Sequence, residues 1–222
     1  ARWPHRLAAA GLFAAGLAAT VAAQQSDVAR PGFLAAMGLL DRETVTIEHP
    51  IAPDFTIDLP RAEGMDVTRM DAPSGARDFI AAWEFVQDGL VETLTLTAAE
   101  IEPAPKETRQ FAMANLLVLR SYGELAKSVE EAQLLTFGPV RREDDLTAVQ
   151  AVGAFATEAG RRIVFRHIGL MAEERPEAIV AILNIDPTRL AVRSETQLHD
   201  TYGGLAVASI RLTDRGLSAP AE

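Results

Sequence analysis

The sequence GRRIVFRHIGLMAEERPEAIVAILNID, which runs from Gly160 to Asp186, contains two apolar runs separated by a short polar connection. Both runs are rich in β-branched and aromatic residues and are bounded by turn-forming residues, which is typical of two strands joined as a hairpin. Neither run alternates cleanly, because Val164-Phe165 and Ile179-Val180 place apolar side chains on both faces. This pattern predicts strands at the centre of a sheet that is covered on both sides.

Shorter strand patterns lie outward from this hairpin. Asp88-Gly89 separates two strand-like runs and favours a tight turn in which both central residues have positive φ. Adjacent strands joined by short turns are antiparallel, so we predict an α+β fold: a twisted, mainly antiparallel sheet with helices packed on it. The other predicted strands span residues 44–48, 55–59, 67–70, 81–87, 90–98, 132–140 and 146–157.

Two helical segments are predicted to cover the sheet. Ala104–Ser128 has apolar residues at helical spacing. The second helix begins at Ser194, which forms a capping box with Gln197, and Gly203-Gly204 within it predicts a close approach to the sheet or a kink. The stripe assigned to the first helix consists of Phe111, Met113, Leu116, Leu117, Leu119, Tyr122, Leu125 and Ala126, with Arg109, Arg120 and Glu124 facing away.

The N-terminus has the pattern of a secretory signal peptide. A basic start, an uncharged apolar run and small residues before a polar segment predict cleavage after residue 23. The alternative is an uncleaved membrane anchor, for which the apolar run Leu7–Ala23 is short. Residues 24–43 are predicted to be a tether with a short helix at Phe33–Leu40, residues 44–212 a single domain, and residues 213–222 a flexible tail.

Composition excludes several classes of protein. The chain has 48% hydrophobic residues, which indicates a globular protein, and no cysteine, which excludes disulfides, thiolate metal sites and a cysteine nucleophile. Its net charge is −10, and removal of residues 1–23 takes away two arginines and no acids, leaving −12. An acidic protein repels nucleic acid and anionic lipid, so we predict no nucleic-acid partner and, after signal cleavage, no stable membrane insertion.

The sequence contains no recognisable set of catalytic residues. It lacks a G-x-S-x-G nucleophile elbow, the glycine-rich loops that bind nucleotides, the calcium-loop pattern and an H-E-x-x-H zinc motif. His49 and His199 are interpreted as a turn residue and a residue on a solvated helix face, and Arg141 to Asp145 as a charged turn. No catalytic residue, metal ligand or cofactor is therefore predicted.

Three residues are candidate binding residues: Arg166, His167 and Trp83. Arg166 belongs to a small basic cluster with Arg161 and Arg162, which could bind an anionic ligand or pair with the nearby acids. His167 lies in the central strand, and its alternative role is a hydrogen-bonded histidine on a half-buried sheet face. For Trp83 the alternative is a core residue.

Three stretches make the sequence resemble the Mog1/PsbP-like fold, which includes small bacterial envelope proteins. Phe55–Pro60 resembles the opening strand that ends in proline, and Ala148–Thr157 followed by Gly160–Met171 resembles a Gly-Ala strand, a turn and a longer strand. Leu198–Leu212 resembles the closing helix, which ends near a serine and a basic residue. The resemblance implies a non-catalytic binding or assembly module, although a shared fold does not fix a function.

Three functions remain open from the sequence. The first is an exported, non-catalytic binding or assembly module of the bacterial cell envelope, periplasmic or secreted. It would act through its surface or through a shallow groove between sheet and helix, on an unknown envelope protein or small ligand. The second is a periplasmic small-molecule or lipid carrier, which would need an apolar cavity under the helix Ala104–Ser128. The third is an enzyme with dispersed active-site residues that include Arg166 and His167.

Overall fold

The computed structural model describes residues 31–142, 144, 146–172, 175–190 and 192–213, without the side chains of residues 120, 121 and 130. The predicted signal peptide, the start of the predicted tether and most of the predicted tail lie outside these residues. The described chain forms two antiparallel sheets with helices packed on them, which confirms the predicted α+β class.

The larger sheet has seven antiparallel strands, and the hairpin predicted from residues 160–186 lies near its centre. Both hairpin strands have a partner on each side, as the unbroken apolar runs predicted. In spatial order the strands are β3 (Asp66–Met70), β4 (Phe79–Val86), β5 (Leu90–Glu100), β9 (Glu177–Ile185), β8 (Arg162–Met171), β7 (Thr147–Ala156) and β6 (Glu130–Val140).

A second, three-stranded sheet was not predicted as a separate unit. It has the order β1 (Asp41–Ile47), β2 (Phe55–Arg61) and β10 (Arg211–Leu212), with β2 antiparallel to both neighbours. The alternating side chains of Phe55, Ile57 and Leu59 face inward, as predicted, and are buried.

The helices lie before, between and after these strands. The predicted helix over residues 104–128 is a continuous helical stretch whose middle has π-helical geometry. The predicted C-terminal helix is divided into a 3₁₀ helix and an α-helix. The helical elements are α1 (Pro31–Ala36), α2 (Lys106–Asn115), a π-helical segment (Leu116–Tyr122), α3 (Gly123–Ser128), a 3₁₀ helix (Glu195–Asp200) and α4 (Tyr202–Ser209).

The two faces of the larger sheet pack against different helices. Successive side chains of a strand point to opposite faces. On β8, Ile168 and Leu170 pack in one core with Leu198 of the 3₁₀ helix, whereas Met171 packs in a second core with Met113 of α2. The first core lies beneath the 3₁₀ helix, α4 and the smaller sheet, and the second lies beneath the long helical stretch.

The long helical stretch buries only part of the predicted stripe, including Met113 and Leu117. Phe111 and Leu119 are 69% and 74% exposed, whereas Arg109, Met113 and Leu117 are buried. The buried residues lie four apart. Arg109 and Phe111 precede the π-helical segment, so the stripe there follows the wrong side of a regular α-helix, whereas the π-helical turns shift the direction of Leu119 and later side chains. The Arg109 guanidinium donates hydrogen bonds to backbone carbonyls beyond β8, so this predicted outward residue is part of the packing.

Two turn predictions have different outcomes. Asp88 and Gly89 have φ values of 51° and 118°, which confirms the positive values expected between β4 and β5. The Ser194 side chain makes no capping hydrogen bond, so the predicted capping box is wrong. Thr201 instead caps α4, because its side chain accepts a hydrogen bond from the backbone N–H of Gly204.

Candidate functional site

A pocket of about 220 Å³ lies between β6, β7 and β8 on one side and the 3₁₀ helix and α4 on the other. Its walls are partly apolar, but arginine is its commonest polar residue among those the structure describes. We call it the arginine pocket. Its described polar residues are Arg141, Arg142, Asp144, Arg166, His199 and Arg211.

Arg166 forms the inner wall of the arginine pocket. It is 2% exposed, and its Nε donates a 2.8 Å hydrogen bond to Oε1 of Gln150. Its Nη1 lies 3.3 Å from the Leu198 carbonyl oxygen, and its Nη2 lies 3.3 Å from both ring nitrogens of His199. Burial lowers the pKa of Arg166 to about 10, so this side chain is a buried cation at neutral pH.

The neighbours of Arg166 are held in place by their own contacts. Nε2 of Gln150 donates a 2.6 Å hydrogen bond to Glu195, which connects β7 to the 3₁₀ helix. His199 is exposed, which confirms the predicted solvated helix face, and one side of its ring also contacts Arg166. Burial and the charge of Arg166 lower the pKa of His199, so its imidazole is neutral at pH 7.

Arg142 and Arg211 are occupied by structural contacts at the rim. The Arg142 guanidinium donates 2.8 and 2.5 Å hydrogen bonds to Asp144 and 3.1 Å hydrogen bonds to the carbonyls of Val207 and Ile210. Arg211 lies 3.2 Å from the same carboxylate. These arginines therefore satisfy carbonyl groups at the C-terminal end of α4 and hold that helix against the sheet. Burial alone would raise the pKa of Asp144, but the hydrogen bonds and charge of Arg142 outweigh it and lower the pKa.

Arg141 differs from these residues because it is exposed at the rim. Within the described part of the chain Arg141 makes no hydrogen bond or ion pair. It directly precedes Arg142, whose position is fixed by its hydrogen bonds to Asp144 and α4. The Arg141 guanidinium is therefore available to a ligand.

A second buried polar contact joins β5 to the start of α4. Glu92 is 1% exposed, and its carboxylate accepts hydrogen bonds from the Thr201 hydroxyl at 2.9 Å and from the Gly203 N–H at 3.0 Å. Burial raises the pKa of Glu92 to about 7 despite these bonds. A Cβ atom at Gly203 would lie 2.7 Å from the Glu92 carboxylate, so the predicted close approach to the sheet is confirmed for Gly203, whereas a Cβ atom at Gly204 would meet the Leu198 carbonyl oxygen of the 3₁₀ helix at 2.2 Å.

Replacement of Thr201 by Ala should lower the free energy of unfolding by about 1–2 kcal/mol, because it removes the cap of α4 and a donor to the buried carboxylate. The matched control is T201S, which keeps the hydroxyl and should lose less than half as much. Urea unfolding at pH 7 measures both. Equal losses in the two variants would show that the methyl group, and not the hydroxyl, stabilises this junction.

The structure places Arg166 and His167 on opposite faces of the sheet. His167 packs against Phe165 with ring centroids 4.9 Å apart, beneath the long helical stretch. It is buried, and its Nδ1 has no hydrogen-bond partner among the described residues, so the expected hydrogen-bonded histidine on a half-buried face is wrong. Burial lowers its pKa to about 4.

Trp83 lies in the core between the larger sheet and the elements that cover it, and is 2% exposed. It belongs to β4, which is separated from β8 by β5 and β9. Arg161 pairs with Asp186 at 3.5 Å, while Arg166 points into the arginine pocket, so the predicted basic cluster is dispersed. Of the three candidate binding residues, Arg166 lines this pocket, and the binding roles of Trp83 and His167 stay predictions.

Sequence reasoning missed Glu92 and Arg141. Glu92 shares the period-two pattern of Leu94 and Leu96, so the sequence contained a signal for an inward-facing carboxylate. The pattern around Arg141 indicated only a charged turn, because nothing local shows that this turn lies beside α4.

The described residues give two further results. They contain no group of three or more histidine, aspartate or glutamate side chains arranged to hold a metal ion. Within the same part of the chain, no helix combines the length and the hydropathy of a membrane span.

Among protein-family models, curated proteins and solved structures, only solved structures match the chain. No protein-family model matches the sequence, and no curated protein is significantly similar to it. Cyanobacterial PsbP (CyanoP) from Synechocystis matches with a TM-score of 0.50 and 10% identity, over 86% of this chain and 99% of that one. The Ran-binding protein Mog1p of Saccharomyces cerevisiae matches with a TM-score of 0.45 and 15% identity, over 81% of this chain and 100% of Mog1p. LpqN of Mycobacterium tuberculosis, involved in cell envelope biogenesis, matches with a TM-score of 0.42 and 14% identity. The match covers 72% of this chain and 88% of LpqN.

At these identities the likeness concerns the fold alone, and CyanoP carries it over nearly its whole length. The chain therefore has the Mog1/PsbP-like fold that its sequence resembles.

Proposed function

We propose that this chain is an exported, non-catalytic binding module of the bacterial cell envelope and that it holds its partner or ligand in the arginine pocket. The observation that carries the proposal is the buried cation of Arg166, which faces an open pocket and contacts no carboxylate among the described residues. The signal-peptide pattern of residues 1–23 supports export to the periplasm. The pocket also lies between sheet and helix, where the sequence predicted a binding groove.

The alternative functions have less support. An enzyme that uses Arg166 and His167 together would need both side chains at one substrate, but they lie on opposite faces of the sheet. A carrier would need an apolar cavity under the long helical stretch. A pocket of about 360 Å³ does lie at the start of that stretch, but the polar side chains of Lys106, Arg109 and Thr147 line it. Farther along, a Cβ atom at Gly169 would lie 2.1 Å from Sδ of Met113, so helix and sheet are in direct contact there.

The proposal is tested by closing the pocket. Ala208 is exposed on the last turn of α4 and lines the pocket, so A208W should cover its mouth without disturbing the core. The matched control is A126W, which places the same side chain at an exposed position on α3. Tagged mature proteins would be crosslinked in the periplasm of the source cells, and bound species identified by mass spectrometry.

We expect wild type and A126W to recover the same partner, and A208W to recover at least about tenfold less, which corresponds to a loss of about 1.4 kcal/mol in binding. Equal recovery by A208W and A126W would contradict binding at this pocket. Turnover of a substrate by the purified wild-type protein, abolished by a single substitution, would contradict the non-catalytic function.

A further inference from the structure

The arginine pocket has a chemical preference that goes further than binding in general. We propose that it binds an oxyanion group, a carboxylate or a phosphate, through the guanidinium groups of Arg141 and Arg166. This inference rests on the proposed function in its choice of pocket, and it adds the chemistry of the ligand and the residues that hold it.

The first step concerns the buried charge of Arg166. A guanidinium has five N–H donors, and the described contacts of Arg166 use three, all directed to neutral groups on Gln150, Leu198 and His199. One N–H on Nη1 and one on Nη2 remain. Burial of a charge is costly unless it is paired. The carboxylates of Glu195 and Glu92 favour the charged form of Arg166 through space, but neither hydrogen-bonds to its guanidinium, so an anion in the pocket would supply the direct charge-assisted contact.

The second step separates the arginines that hold the fold from those that can hold a ligand. Arg142 and Arg211 are bound to Asp144 and to the end of α4. Arg141 at the rim and Arg166 at the inner wall have N–H groups to spare, and both line the pocket. Arginine forks match the two oxygens of a carboxylate or a phosphate, and such charge-assisted hydrogen bonds are stronger than neutral ones.

The third step uses the size and the walls of the pocket. Its volume of about 220 Å³ is below the roughly 300–1,000 Å³ of pockets that enclose drug-sized ligands. The remaining walls include the apolar side chains of Ala148, Ile168 and Val207. The pocket therefore suits a small anion, or a short anionic group with a few apolar atoms behind it.

The test is titration calorimetry of the mature protein at constant ionic strength, with inorganic phosphate in one arm and butyrate in the other. R141Q removes the rim cation, and because Arg141 is exposed and makes no described contact, the fold should be retained. The matched control is R69Q, which removes an exposed arginine on β3, at the opposite edge of the sheet. The double variant E143Q/D145N addresses the two acids of the turn that lie outside the described residues.

We expect saturable binding of at least one probe to wild type and unchanged binding to R69Q. Binding to R141Q should be about tenfold weaker, because loss of a charge-assisted hydrogen bond of about 1.5 kcal/mol corresponds to a factor of about ten in affinity. Tighter binding of phosphate would assign a phosphate group, and tighter binding of butyrate a carboxylate.

Three results would overturn the proposal: no saturable binding to wild type, equal affinities of R141Q and R69Q, or binding only to E143Q/D145N, which would mean that the protein's own acids fill the site. The two proposals can fail separately. If A208W still captures the partner while anion binding depends on Arg141, the partner site lies elsewhere and the anion site stands.

Discussion

Replacement of Glu92 by Gln should stabilise the protein at pH 8 and destabilise it at pH 5. The folded state raises the pKa of Glu92 from 4.5 to about 7, so it binds a proton that the unfolded state has already lost. Folding stability contributed by this group therefore falls as pH rises from about 4.5 to about 7, by about 3 kcal/mol in total. Gln carries no charge to bury, but it offers one acceptor fewer to Thr201 and Gly203, at a cost of about 1 kcal/mol.

His167 should change the folding stability in the opposite direction over nearly the same pH range. Burial lowers its pKa from 6.5 to about 4, so the folded state binds fewer protons than the unfolded state between these values. Stability contributed by His167 therefore rises as pH increases from about 4 to about 6.5, again by about 3 kcal/mol. In wild type the pH-dependent contributions of Glu92 and His167 to folding stability therefore largely cancel.

Urea unfolding of wild type, E92Q and H167L at half-unit steps from pH 4.5 to pH 8 separates the two groups. E92Q should become more stable with increasing pH up to about 6.5, because the rising contributions of His167 and His199 then remain. H167L, a swap of similar volume, should become less stable up to about pH 7. If both variants kept the pH profile of wild type, neither group would be buried in the folded state as described.

Substitution of Gly153 by Ala should cost about 3 kcal/mol of unfolding free energy or more, because overpacking against backbone leaves little room for relaxation. A Cβ atom at Gly153 would lie 2.1 Å from the Gln133 carbonyl oxygen and 2.2 Å from the Phe165 ring. The carbonyl belongs to β6, which pairs with β7 at this point, so relief would require the two strands to separate.

Gly169 is the matched comparison for Gly153. It lies on the same face of the sheet, but a Cβ atom there would meet the side chain of Met113, which can move. G169A should therefore lose only about 1 kcal/mol, at the low end of overpacking costs. Urea unfolding of both variants at pH 7 measures the difference. A G153A loss of only about 1 kcal/mol would contradict the contact between β6 and β7 described for Gly153, whereas a G169A loss as large as that of G153A would show that Met113 is held rigidly.

The parts of the fold that depend on local pattern were predictable from the sequence. The central hairpin, the turn at Asp88-Gly89 and the inward residues of β2 follow from alternation and turn chemistry, which act over a few residues. Part of the predicted stripe of the long helical stretch was wrong, because Arg109 is held inward by hydrogen bonds to distant carbonyls and a π-helical segment changes the direction of Leu119. The helix start at Thr201 was missed because Ser194 fits the same N-cap preference, although the capping hydrogen bond between Thr201 and Gly204 is local. The hydrogen bond from Thr201 to Glu92, 109 positions away, has no signal in the sequence.

The candidate site also combines features that follow from local sequence pattern with features that depend on long-range packing. Adjacent residues of a strand point to opposite faces, so the separation of Arg166 from His167 follows from the strand prediction alone. The meeting of Arg141, Arg166 and Ala208 does not, since it requires the turn after β6, the middle of β8 and the end of α4 to be packed together. Long-range packing of this kind has no periodic signal in a single sequence.

The most direct test of binding at the arginine pocket is an amide ¹⁵N NMR titration of the mature protein with inorganic phosphate and with butyrate. We expect the largest saturable shifts at Arg141, Ala148, Gly204 and Ala208, which line the pocket on three different elements. Saturable shifts centred instead on Ala104, Lys106 and Arg109, which line the pocket at the start of α2, would contradict it, as would an absence of shifts at all four residues with both anions.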